Sequence, residues 1–162
     1  MAAFNKRVFK TFGHFWGELR FVRGAKKELR AIFKEKTLSA AFRERLFMAV
    51  TSVNHCRYCS FVHSRAALKA GVSREELNGF LTKEAQSVPD EERVAVVYAQ
   101  HWVDSGGNPD PEALARLNEA YPAGTVAAIQ TAIRFINFNN LAGNTWDKLL
   151  HTVSFGLLGG GK

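Results

Sequence analysis

The chain has 162 residues, 46% of them hydrophobic, with 22 Lys or Arg against 15 Asp or Glu. That is enough for one domain with a proper core, while the longest apolar run falls short of the eighteen or so residues a membrane-spanning helix needs. The whole net charge of +7 lies in residues 1–36, which hold ten bases and three acids, so an acidic or anionic neighbour for that end is a matter of partners and not of fold.

From the start, Met1 to Arg7 interrupts every apolar run with charge and carries no signal-peptide pattern. Phe4, Val8, Phe12, Phe15, Leu19 and Val22 then recur every three or four residues, with Lys6, Arg7, Lys10 and Arg20 off the stripe. This predicts a basic amphipathic helical arm over residues 1–36. Packing on the core or on a neighbouring subunit is its expected destination, with peripheral contact to an anionic membrane surface as the lesser alternative. Gly13 and Gly17 are spaced as Gly-x-x-x-Gly, which says little in a soluble helix. Arg20 to Lys36 shows no recognisable binding module, so no nucleic-acid partner is expected.

A domain is expected over residues 37–155. Ser39 is a candidate N-cap for a helix from Ala40 to Val53, and Asn54 for a second helix beginning near His55. Gly71 ends that second helix, and Ser73-x-x-Glu76 is a capping box opening Glu75 to Leu81. Thr82 to Asp90 reads as a polar connection, Glu91 to Val103 as a helix, and Asp104 to Pro109 as a loop. Asp110-Pro111 opens Glu112 to Ala120. Thr125 to Leu141 is the most apolar long helix, and Trp146 to Val153 a short final one. Between them Asn137, Asn139, Asn140 and Asn144 sit among apolar residues and need hydrogen-bond partners if buried. Residues 156–162 read as a flexible tail. With no strand-rich stretch, the fold class is all-α.

The chemistry concentrates in His55-Cys56-Arg57-Tyr58-Cys59-Ser60-Phe61-Val62-His63, which holds both cysteines of the chain. On a helix Cys56, Cys59 and His63 share one face, and Cα atoms three apart lie about 5–6 Å from each other, within disulfide range. Three readings fit: buried structural cysteines beside a core histidine, a zinc site short of a fourth ligand, or a redox-active dithiol. The dithiol leads, because two thiols and an imidazole coincide at helical spacing. Glu44, on the preceding helix, can add a partly buried carboxylate, or else pair with Arg43 or Arg45. Tyr58, His55 and His101 are candidate supporting groups, although a lone histidine such as His101 is more often a hydrogen-bonded core residue. Two cysteines spaced as a reactive pair fit a reducing cytoplasm. The dithiol reading requires no metal or cofactor, and neither a dinucleotide fingerprint nor a phosphate loop is present.

Glu44-x11-Cys56-x-x-Cys59-x-x-x-His63, with the following Ser64 to Ser73, resembles the alkyl hydroperoxidase D and carboxymuconolactone decarboxylase family. The resemblance is good from Glu44 to Leu81 and looser to Asn144. It implies a compact helical bundle assembled as a trimer or hexamer, with a peroxide or disulfide as substrate and a dithiol protein as reductant. It also implies that Cys59 attacks, that Cys56 resolves, and that Glu44 and His63 relay the proton. The sequence departs at Tyr58, where the best-studied hydroperoxidases place a second histidine. Two alternatives remain: a lyase or isomerase of the decarboxylase branch with His63 as acid or base, and a non-catalytic helical oligomer with a structural metal.

Overall fold

Ala40 to Asn54 contains Leu46, Phe47, Met48, Ala49 and Val50 in unbroken succession, all of them buried. A helix apolar on every side belongs in the middle of a bundle. The computed structural model describes residues 4–82, 87–156 and 158–159. Among these residues are eight α-helices and no strand: α1 (Phe12–Gly24), α2 (Lys26–Phe33), α3 (Ala40–Asn54), α4 (Arg57–Lys69), α5 (Arg74–Thr82), α6 (Asp90–Asp104), α7 (Pro111–Ala120) and α8 (Ala123–Val153). The fold is all-α, as expected. α3 is surrounded by α4, α5, α6 and α8, so the residues at its C-terminal end are held from several directions. No helix among the described residues is long and apolar enough to cross a membrane.

Several helix ends follow from local chemistry. Ser39 Oγ accepts from Phe42 N–H at 3.1 Å, and Asp110 Oδ1 from Ala113 N–H at 2.8 Å. Ser73 and Glu76 satisfy each other's backbone N–H at 3.1 Å each, the reciprocal capping box. At the end of α4, Gly71 takes φ +91°, and Val72 N–H reaches back to Ala67 C=O at 3.0 Å. That left-handed turn is open to glycine without strain.

The N-terminal segment departs from expectation. The helix begins at Phe12, where Thr11 Oγ1 caps His14 N–H at 3.1 Å, and not at Phe4. Residues 4–11 are non-helical and lie along α8. Phe9 N–H donates to Thr145 Oγ1 at 3.2 Å, Lys6 pairs with Asp147, and Arg7 bridges to Asp104 and the Val103 carbonyl. The extended path places two bases and a backbone N–H beside acceptors that a helix starting at Phe4 could not reach together. α1 and α2 then pack on α8, burying Leu29 and Ile32. Glu18 holds Arg134 through two bonds of 2.8 and 2.9 Å.

The last helix also differs. Thr125–Leu141 and Trp146–Val153 are one helix of 31 residues. Ala142 to Thr145 contains no proline, and one interior glycine costs a helix only about 1 kcal/mol. Against that cost, Asn144 Nδ2 donates to the Arg7 and Asn54 carbonyls at 2.8 Å each, which requires the helix to continue through it. Part of the Thr82–Asp90 connection (residues 83–86) and, of the expected tail, residues 157 and 160–162 lie outside the described residues, as do residues 1–3.

Candidate active site

The site begins where α3 stops. Asn54 is not the cap of the next helix but the last residue of α3, fully buried. Its Nδ2 donates to Asn137 Oδ1 at 2.8 Å and to Asn140 Oδ1 at 3.2 Å, and its carbonyl accepts from Asn144. Those partners come from α8, 83 to 90 residues away, and outweigh a local capping bond. His55 turns the chain with a left-handed φ of 56° and points its side chain toward solvent. Cys56 then becomes the N-cap of α4, its Sγ accepting from Cys59 N–H at 3.4 Å.

Cys56 and Cys59 form a disulfide with Cα atoms 5.2 Å apart. Both are buried. α8 crosses the disulfide at Gly143. A Cβ there would lie 3.5 Å from Cys56 Sγ and 3.9 Å from Cys59 Sγ, so an alanine would touch the sulfurs and anything larger would crowd them.

One turn beyond Cys59, His63 Nδ1 meets Glu44 Oε2 at 2.9 Å, and the imidazole stands edge-on to Phe47 with centroids 5.0 Å apart. Glu44 is only 3% exposed. Its other oxygen accepts from Arg43 Nε and Nη2 at 3.1 Å each, so both oxygens are engaged. Glu44 therefore takes both of the partners foreseen for it, the imidazole and Arg43. With Nδ1–H given to the carboxylate, Nε2 of His63 is the nitrogen left to accept a proton.

Beside Cys56 opens a cleft of about 610 Å³ lined by Lys6, Arg57, Tyr58, Asn144 and Trp146. Tyr58 stands at its mouth, 76% exposed. His101 is engaged elsewhere: its Nε2 pairs with Asp110 Oδ2 at 2.7 Å, tying α6 to the start of α7. Among the described residues, no group of three or more His, Cys, Asp or Glu side chains is arranged to hold a metal ion. Sequence reasoning noticed the asparagines of α8 without assigning them roles, and it missed Gly143 altogether. The asparagines signal burial only through their apolar neighbours, and a glycine inside a helix signals nothing by itself.

The sequence profile described as the carboxymuconolactone decarboxylase family matches residues 20–100, half of the chain, and spans Glu44, Cys56, Cys59 and His63. The chain belongs to the carboxymuconolactone decarboxylase family. That family includes the alkyl hydroperoxidase D-like proteins. No curated protein and no solved structure matches the chain significantly. The family match ends within α6, so Gly143 and Asn144, which close the site from α8, lie beyond it.

Proposed function

We propose that the protein is a thiol-dependent oxidoreductase of the alkyl hydroperoxidase D-like kind, reducing a peroxide or a disulfide through Cys56 and Cys59. One observation carries the reading: two sulfurs within bonding distance at the first turn of α4, one helical turn from an imidazole tied to a buried carboxylate. The disulfide is the oxidised half of the cycle. In the reduced half, the partial positive charge at the start of α4 favours a thiolate. His63 Nε2 takes the Cys59 proton while Glu44 holds the ring and stabilises its charge.

Cys59 thiolate attacks the outer oxygen of the peroxide. The S–O bond forms, the O–O bond breaks, and the alkoxide leaves with the proton from His63. Cys56 thiolate then attacks the Cys59 sulfur, closing the S–S bond and expelling hydroxide, which leaves as water. A dithiol restores the pair in two exchanges, so two electrons pass from dithiol to peroxide per turnover. A reducing cytoplasm suits a disulfide that must reopen in every cycle.

Reduced protein given one equivalent of peroxide is expected to lose two thiols with no gain of oxygen mass, by thiol titration and mass spectrometry. Cys59→Ser is expected to abolish peroxide turnover, and unchanged turnover in that variant rejects the mechanism. Family membership also admits the decarboxylase branch; lactone conversion that survives loss of both thiols would favour it.

A further inference from the structure

The inner face of the N-terminal helices is accounted for by packing on α8, and the outer face is not. Phe12, Trp16, Arg20 and Arg23 share one face of α1 at intervals of four and three, and beyond the non-helical Ala25 junction Lys27, Arg30 and the C-cap Lys34 continue the spacing along α2. All seven are exposed, Phe12 at 75% and Trp16 at 45%. None of the five bases is in an ion pair among the described residues. Gly13 and Gly17 follow the two rings directly, and Phe15 packs against both of them.

We infer that this stripe seats the protein on an anionic lipid surface, Phe12 and Trp16 entering the headgroup layer and the five bases lying on the lipid phosphates. This goes beyond the redox reading and does not depend on it. A ridge of five unpaired bases complements a sheet of negative charge, and an aromatic pair at one end is what an interfacial helix inserts. A second copy of the chain fits the stripe poorly, because a two-fold contact would set the bases against themselves. Single-stranded nucleic acid would need open ring faces for stacking. Here Phe12 and Trp16 meet edge to face at 5.7 Å, and Trp16 meets Phe15 likewise at 5.6 Å, forming an apolar knob.

The test is sedimentation of the full-length protein with vesicles of phosphatidylcholine alone or mixed with phosphatidylglycerol. Binding is expected only to the mixed vesicles, with loss at high salt. The combined substitution Arg23→Glu, Lys27→Glu and Arg30→Glu should weaken it by roughly 100-fold or more, from about 1 kcal/mol per base. Brominated lipid should quench a component of tryptophan emission that is absent from Trp16→Phe. Circular dichroism and peroxide turnover of these variants should match the parent, since the side chains point outward. Equal binding to both vesicle types, no binding to either, or full binding by the triple variant overturns the proposal. So does tighter binding to a single-stranded RNA at the same salt, or an oligomer in solution that the triple variant dissociates.

Discussion

Two sulfurs three residues apart occupy different surroundings, and the proposed chemistry gives them different tasks. Cys56 is the helix cap and lines the open cleft, while Cys59 sits inside the first turn, one turn before His63. Under the proposed oxidoreductase reading, an incoming thiol or disulfide is expected to meet Cys56, and the Glu44–His63 pair to serve Cys59. Cys59→Ser exposed to oxidised glutathione is expected to hold a stable mixed disulfide on Cys56. Cys56→Ser exposed to peroxide is expected to accumulate sulfenic acid on Cys59, trapped by dimedone. Mass spectrometry of the two adducts reads the assignment, and the opposite pattern would exchange the roles of the two thiols. Glu44 illustrates how far a spacing argument reaches at this scale. Its distance in sequence from the cysteines is compatible with facing them, but only the fold gives one oxygen to His63 and the other to Arg43.

At the scale of elements, a single buried arginine ties three helices. Arg45 on α3 donates to Glu76 on α5 at 2.7 Å and to Glu92 on α6 at 3.0 Å. Burial pushes the Glu92 carboxyl up, and Arg45 only partly offsets it. Burial also opposes ionisation of Glu76, but the Arg45 and Ser73 hydrogen bonds outweigh it and hold that carboxyl below the usual 4.5. The signs follow by linkage. Glu76 contributes stability that is complete above its usual value and lost as pH falls through the lowered one. Glu92, with a raised value, costs stability when ionised, and that cost disappears as pH falls through it. Arg45→Met should destabilise by about 3–5 kcal/mol at pH 7, because two carboxylates are left facing without their cation. The deficit should shrink as acid neutralises Glu92, read from urea midpoints against pH; a pH-independent deficit would assign the loss to packing instead.

At the scale of the whole molecule, residues 4–36 are part of the folded body. Leu29 and Ile32 are buried, Glu18 pairs with Arg134, Lys6 with Asp147 and Arg7 with Asp104. Deleting residues 1–36 uncovers the α8 face that residues 4–36 occupy, and the truncated protein is expected to aggregate or to lose several kcal/mol of stability, as losses at large buried side chains do. A truncation that melts like the full chain would make the segment an accessory. This is why membrane binding is tested by outward substitutions and not by removing the segment.

What the sequence determined by itself was local. Helical periods, the caps at Ser39, Ser73 and Asp110, the stop at Gly71, and the shared face of Cys56, Cys59 and His63 each depend on residues within about two turns of each other. Tertiary structure decided what joins distant segments. Asn54 serves α8 instead of capping α4, α8 runs unbroken past Gly143 and Asn144, residues 4–11 lie non-helical along it, and His101 turns to Asp110. The physical reason is that a buried polar group must find a partner wherever the packed helices bring one, and its own sequence neighbours do not record where that will be.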